Sequence, residues 1–432
     1  MRNHFLSPLV AAAACIAACG QPEALPTENT DPGDDGPPLP SAFGWLGDGV
    51  SWRSVEPVRV RVEIARPGER ASAFAFSARG ESADTSGTVP VLAWPAESPD
   101  SLDLVVYFED LAGDETEAFR GRVETGETPP PAPATLLRAT MIDVGWGDAH
   151  LLETPSGHRI LIDAGSDCSD NQASLRAFLD DRITGPGAVG HDIDHVFLTH
   201  LHWDHYTGLD DTILLPYGTP GYDVGTVHFS TPFVSKFYQG TYDWLAGRVQ
   251  QAGAERSTPR SADVLDLAPD LEALVLNAGN PFVPSSWDGE NENNSSFVLR
   301  LTYGDVSLVY TGDAEESLAD RLESRFAEAL EADVLKVGHH GSDDATDGSW
   351  VEAVAPTVAL VPIDAGQVDW YLPHDDVISL LRSNGAHVFR SDSIVPGAAD
   401  RRDVTGHVEV LSDGVSVSVR THVTDREPVD CE

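Results

Sequence analysis

Apolar and polar positions alternate along Val58-Arg59-Val60-Arg61-Val62-Glu63-Ile64, and nearly so along Leu102-Asp103-Leu104-Val105-Val106-Tyr107-Phe108. That period of two predicts half-buried β-strands. From Phe43 to about Thr125, such runs are separated by Gly, Pro and Asp turns. The stretch 43–128 is therefore expected to form a small all-β domain with immunoglobulin-like packing. It holds no cluster of catalytic side chains. Beyond residue 136 the pattern changes. Short apolar runs at Arg159–Ile162 and Val196–Thr199 read as buried strands, and Gln172–Asp181, Glu315–Leu330 and Asp375–Asn384 carry helical spacing. Strands alternating with helices predict an α/β domain over 136–425. Pro129-Pro130-Pro131-Ala132-Pro133 makes a stiff break between the two regions. No internal repeat of fixed period is visible.

The first 42 residues read differently. Arg2 begins a short basic start, Phe5–Ala18 is apolar and small, and Ile16-Ala17-Ala18-Cys19 resembles a bacterial lipoprotein cleavage box. The run is too short to cross a bilayer comfortably. Residues 1–19 are expected to be a leader ending at a lipid-bearing Cys19, with an ordinary cleaved secretion signal as the competing reading. Residues 20–42 are Pro, Gly, Asp, Glu and Thr with almost nothing to bury, as in a disordered tether. Either form of leader takes the protein out of the cytoplasm. With Cys15 and Cys19 in the leader, Cys168 and Cys431 remain, and an oxidising compartment permits a disulfide between them.

Charge narrows the partners. Twenty-seven Lys and Arg stand against 70 Asp and Glu, a formal net charge of −43, and Lys236 and Lys336 are the only lysines. A field of that sign repels phosphate backbones at long range and disfavours loose attachment to nucleic acid. Adaptation to salty surroundings would leave the same composition.

The chemistry concentrates in Val196-Phe197-Leu198-Thr199-His200-Leu201-His202-Trp203-Asp204-His205, an apolar strand running straight into metal-ligand side chains. In extended chain His200 and His202 project from one face, so two imidazoles converge on one cation. Asp204 and His205 follow a turn and are placed to serve a second. Imidazole nitrogen with carboxylate oxygen suits zinc, manganese or iron. The chain has no phosphate-binding glycine loop, no G-x-S-x-G elbow and no cysteine placed as a nucleophile, which leaves metal chemistry.

The H-x-H-x-D-H pattern resembles the signature of the metallo-β-lactamase superfamily. Further similar segments follow in order: Met141–Ala149, Leu161–Gly165, Asn293–Leu299, Tyr310–Asp313 and Asp333–Ser342. Within that superfamily the chain looks most like the hydrolase domain of the DNA-uptake protein ComEC and its free-standing relatives. The resemblance covers about Leu136–Val419 and implies an αββα sandwich. It implies two divalent ions, zinc or manganese, held by His200, His202, Asp204, His205, Asp313 and His339. Asp313 is similar to the family's bridging carboxylate, and His340 could exchange places with His339. Asp163 resembles the acid that orients a ligand histidine. Asn293-Asn294-Ser295 stands where many members have another histidine, so Asn294 oxygen or water is left to complete the first position. Asp204, His340 and His374 are the candidate catalytic residues, His374 as a donor to a substrate oxyanion. Trp203 and Tyr206 either narrow the cleft or stack on a substrate ring. His158, His191, His195, His228, His387, His407 and His422 have no ligand spacing.

The implied activity is hydrolysis of a phosphodiester or phosphate ester by metal-activated water. A lactone, thioester or β-lactam is the second enzymatic choice, and a non-catalytic surface binding protein the reading from another class. The expected partners are a small-molecule or phosphate-ester substrate, with nucleic acid left open but disfavoured by charge, and, through the lipid anchor alone, a bacterial membrane surface.

Overall fold

Valine, leucine and isoleucine dominate the strands because branched side chains pack well on a pleated surface buried on both faces. The computed structural model describes residues 40–45, 49–76, 84–92, 101–109, 115–124, 136–166, 169–215, 221–229, 238–279, 292–364, 371–393 and 405–424. The expected leader with Cys15 and Cys19, the tether up to residue 39, the proline break, Cys168 and Cys431 lie outside the described residues.

The N-terminal strands are β1 (Pro40–Trp45), β2 (Gly49–Ala65), β3 (Ala73–Phe76), β4 (Asp84–Pro90), β5 (Ser101–Glu109) and β6 (Glu115–Glu124). Next come β7 (Leu137–Met141), β8 (Ala149–Glu153), β9 (Arg159–Ala164), helix α1 (Ser169–Arg182), β10 (Ile193–Phe197), α2 (Trp203–Gly208), β11 (Val224–His228), α3 (Gln239–Ala252) and β12 (Glu255–Ser257). The third group is β13 (Val264–Ala268), β14 (Leu271–Ala278), β15 (Phe297–Tyr303), β16 (Val306–Tyr310), α4 (Glu316–Phe326), β17 (Val334–Lys336), α5 (Gly348–Val354), β18 (Val358–Val361), α6 (Asp375–Ser383) and β19 (His387–Arg390). Strands β20 (Gly406–Ser412) and β21 (Val417–Val423) close the described chain.

Two sheets face each other. The first runs β12-β11-β10-β9-β8-β7-β20-β21-β3-β2-β5-β6, and the second β13-β14-β15-β16-β17-β18-β19. Met141, Phe197, Phe297, Leu299, Tyr310, Val408 and Val410 fill the layer between them. The outer face of the first sheet packs on Leu175 and Leu179 of α1 and Leu245 and Val249 of α3. The outer face of the second packs on Leu318 and Leu322 of α4, Trp350 of α5 and Leu381 of α6. Helix, sheet, sheet, helix is thus read directly from four layers of buried side chains. Local devices fix the helix ends: Asp347 accepts the Trp350 amide at 2.8 Å before α5, and Gly253 at φ 81° closes α3.

The strand pairing does not confirm the immunoglobulin-like domain expected over 43–128 as a separate unit. Val58–Ile64 and Leu102–Phe108 do lie in strands, β2 and β5, and around them Val60, Val62, Leu104 and Phe108 build a core of their own. However, β3 pairs with β21 in register Val417↔Phe76 to Arg420↔Ala73. The N-terminal strands therefore extend the first sheet, and Leu136 and Leu411 enter their core. Alternating patterning gives strand faces but carries no information about which edge a strand joins. The described residues belong to one compact unit, Pro37–Glu432.

Candidate metal centre

Several strands deliver candidate ligands at one end. His200 follows β10, which runs parallel to β9, and Asp163 sits near the end of β9. Asp313 follows β16 and His340 follows β17, another parallel pair. Loops leaving neighbouring parallel strands at the same end meet over the sheet edge.

One oxygen is common to much of the cluster. Asp313 Oδ2 lies 3.2 Å from His205 Nε2, 3.6 Å from His340 Nε2 and 3.9 Å from His200 Nε2. Asp204 Oδ2 is 3.2 Å from His340 Nε2 and 3.9 Å from His205 Nε2. One ligand atom each from Asp204, His205, Asp313 and His340 falls within 4.8 Å of the others, and all four residues are buried. His202 is beside them, its ring centroid 4.6 Å from that of His200 and 5.6 Å from that of Tyr238.

The imidazoles are oriented by their outer nitrogens. His205 Nδ1 is 2.8 Å from Asp163 Oδ2, and Asp163 also accepts the Thr199 amide and hydroxyl at 2.7 Å each. His340 Nδ1 donates to the Pro362 carbonyl at 3.0 Å. Both therefore present Nε2 inward. The Nε2 atoms of His200 and His205 are buried with no hydrogen-bond partner. Such orphaned polar atoms are costly unless something binds them, and a divalent ion fits this donor set of imidazole and carboxylate.

Charge states follow from crowding. Burial pushes the His200 imidazole well below its ordinary pKa. Burial also opposes charge on His205, but Asp313, Asp163, Asp204 and Asp148 outweigh it and raise that pKa well above the ordinary value. Asp204 is held down to about 2: burial works against its charge, and His205 with His340 overcomes it. Asp313 is lowered for the same reasons.

Glycines set the close approaches. A Cβ on Gly165 would sit 1.6 Å from the Asp204 carbonyl oxygen, and one on Gly147 would sit 2.6 Å from the same atom. Both positions need Gly so that the Asp204 backbone can lie on these two loops, where Asp148 N donates to Asp204 O at 3.0 Å. His339 and His340 take φ of 44° and 52°, a left-handed turn uncommon for residues with a side chain. This turn separates the two rings.

His340, and not His339, stands in the cluster. His339 Nδ1 pairs with Asp344 Oδ1 at 3.2 Å and lies 3.7 Å from Glu315 Oε1. Of the two adjacent histidines, His340 is thus the one grouped with Asp204, His205 and Asp313, while His339 is grouped with Glu315 and Asp344. Asn294 does not complete the first position either. Its Oδ1 accepts the amides of Glu315 and Leu318 at 3.3 and 3.1 Å, and its Nδ2 donates to Glu315 Oε2 at 3.0 Å. It braces the start of α4, while Ser296 Oγ accepts the Asp313 amide at 3.0 Å. The Asn-Asn-Ser-Ser segment thus supports the Asp313 loop. His374 Nδ1 accepts the Asp343 amide at 3.1 Å, and Pro373 before it packs on Gly341. His374 borders the cluster without joining it.

Sequence reasoning missed Lys336 and Asp148 as functional neighbours. Lys336 Nζ is buried 2.5 Å from Asp148 Oδ2 and 3.4 Å from Asp313 Oδ1. Burial works against its charge, but Asp148 and Asp313 overcome that and raise its pKa. The scarcity of lysine was the available signal. Trp146, with its ring 4.9 Å from that of His340, stood out in the sequence only as part of a motif.

This four-layered fold carries a buried cluster of imidazole and carboxylate groups suited to a divalent metal ion. The sequence model of the metallo-beta-lactamase superfamily matches residues 142–363, and the chain belongs to that family. It is 30% identical over 262 residues to ComE operon protein 3 of Bacillus subtilis (strain 168), covering 58% of this chain and 31% of that protein. It is 25% identical over 265 residues to Competence protein ComA of Neisseria gonorrhoeae, covering 61% and 32%. The chain thus spans about a third of the length of these curated relatives. Among solved structures, zinc-bound PqqB from Methylobacterium extorquens aligns at 14% identity and a TM-score of 0.36, covering 56% of this chain and 85% of that one. No helix among the described residues is long and apolar enough to cross a membrane.

Proposed function

We propose that the chain is an extracytoplasmic, lipid-anchored hydrolase of a phosphodiester or other small phosphate ester, working with two divalent ions, zinc or manganese. The observation that carries this reading is Asp313 Oδ2, which faces His200, His205 and His340 at once. Asp204, His205, His340 and Asp313 would hold one ion, and His200, His202 and Asp313 the other. When bound, such ions supply Lewis acidity and make water nucleophilic at neutral pH.

The chain's own residues orient and enclose. Asp163 and the Pro362 carbonyl orient the ligand imidazoles. Beside the ligand helix α2, a groove of about 390 Å³ is lined by Tyr206, Thr207, Asp210, Gly240, Thr241 and Trp244. Tyr206 and Trp244 meet edge to face at 5.8 Å, which suits a planar group carried by the ester. The net charge of −43 favours a small ester over a long polyanion. The resemblance to ComEC-type proteins supports phosphate chemistry.

Chelator-stripped protein restored with manganese or zinc, and offered bis-nitrophenyl phosphate, a lactone and nitrocefin, tests the reading. Metal-dependent cleavage of the phosphodiester is expected. Cleavage of the lactone or nitrocefin alone would replace the ester assignment, and bound ions with no hydrolysis of any of the three would favour a surface binding protein.

A further inference from the structure

We propose that Lys336 is a positioning residue: its ammonium holds Asp313 Oδ1, so that Oδ2 alone of that carboxylate is presented to the ligand imidazoles. The inference rests on the two-ion reading of the site above and adds a residue to it.

Three acceptors converge on Nζ, matching its three N–H donors. These are Asp148 Oδ2 at 2.5 Å, the Gly312 carbonyl at 2.7 Å and Asp313 Oδ1 at 3.4 Å. All three side chains are 1% exposed, so no solvent competes. The oxygen that Lys336 leaves alone is the one lying 3.2 Å from His205 Nε2 and 3.6 Å from His340 Nε2. The two oxygens of one carboxylate are thus divided between an internal cation and the ligand cluster.

Backbone pairing makes the division rigid. Lys336 ends β17 opposite Tyr310 of β16, and Thr311 Oγ1 donates to the Lys336 carbonyl at 2.9 Å. Asp313 lies three residues beyond that anchor. On the other side Asp148 donates its amide to the Asp204 carbonyl, and its Oδ1 is buried without a hydrogen-bond partner 3.7 Å from His340 Nδ1. The Asp148–Lys336 pair therefore joins the loops that carry Asp204 and Asp313.

Residue choice points the same way. Of 27 basic residues only two are lysine, and one of them stands here. A guanidinium offers donors in a planar fork, whereas an ammonium offers a tripod at a point. Three acceptors around one atom require the tripod. Among the described side chains, Asp148, Asp163, Asp204 and Asp313 crowd the site, and Lys336 is the permanent cation packed against them.

The test uses the full chain and needs no substrate. Lys336→Met combined with Asp148→Asn removes both charges together, and Lys336→Arg keeps the charge while changing its shape. Each chelator-stripped protein is titrated calorimetrically with Mn²⁺ and Zn²⁺, and its metal-free melting is recorded. The expected result is wild-type-like melting with affinity for at least one equivalent lowered roughly 10- to 100-fold, the range for groups that orient ligands. A folded double variant binding both equivalents as tightly as wild type overturns the inference. Should that variant fail to fold, Lys336→Arg decides, and unchanged affinities there overturn it equally. Wild-type protein that takes up neither ion would instead sink the two-ion reading itself.

Discussion

Asp163 Oδ2 lies 2.8 Å from His205 Nδ1, while the same carboxylate accepts the amide and hydroxyl of Thr199, the residue that leads into His200. One acid thus aims the His205 ring and pins the strand end from which the His200–His205 loop departs. Asp163→Asn keeps the volume and removes the charge. Metal affinity is expected to fall roughly 10- to 100-fold. A calorimetric titration with Mn²⁺ checks it, and an unaltered Kd would show that the hydrogen bond does not tune the site.

The two adjacent histidines separate cleanly by substitution. His340→Ala removes a buried nitrogen that faces both Asp204 and Asp313, so it is expected to cost one bound ion. A loss of roughly 1000-fold in kcat/KM is expected with it, or about 4 kcal/mol of transition-state stabilisation. His339→Ala removes a ring paired with Asp344 and should leave metal stoichiometry intact. Elemental analysis of both variants decides, and the reverse outcome would restore His339 as the ligand.

Proton release follows from the crowded carboxylates. The pKa of His205 lies well above its ordinary value, so the metal-free protein keeps that proton at pH 7. A ligand imidazole must be neutral, so uptake of an ion expels the proton. Affinity is expected to rise with pH through neutrality. Titrations in buffers of different ionisation enthalpy should report about one proton released per centre filled. Heats independent of the buffer would contradict this.

Gly165→Ala places a methyl where the Asp204 carbonyl already lies, and backbone cannot swing aside as a flexible side chain can. Destabilisation of roughly 2–3 kcal/mol is expected, with weakened metal binding as the Asp204 loop shifts. Gly185→Ala, with nothing within 4 Å of the added carbon, is the control and should stay within about 0.5 kcal/mol. Urea unfolding of both proteins compares them, and equal midpoints would remove the steric argument.

The sequence carried the site better than the architecture around it. His200 to His205 were legible because ligand side chains crowded into six positions after an apolar run are seldom there for packing alone. Asp163 was legible from the motif that surrounds it. Helices α1, α4 and α6 were visible through spacing, but α2 and α5, at six and seven residues, are too short to show a period. The choice between His339 and His340 hangs on backbone dihedrals that identity does not encode. Lys336 was hidden because a buried lysine looks like any other until its acceptors are placed in space. The N-terminal strands were found but their long-range pairing was not, since the partner of β3 is β21, more than 300 residues away.

That distant pairing makes the N-terminal strands a guard on the rest. A fragment begun at residue 136 would leave Val417–Arg420 with a bare ladder of amides and carbonyls, ready to recruit the same strand from another copy. Such a shortened protein is expected to elute as dimers or larger aggregates in size-exclusion chromatography, where the intact chain has that seam already closed.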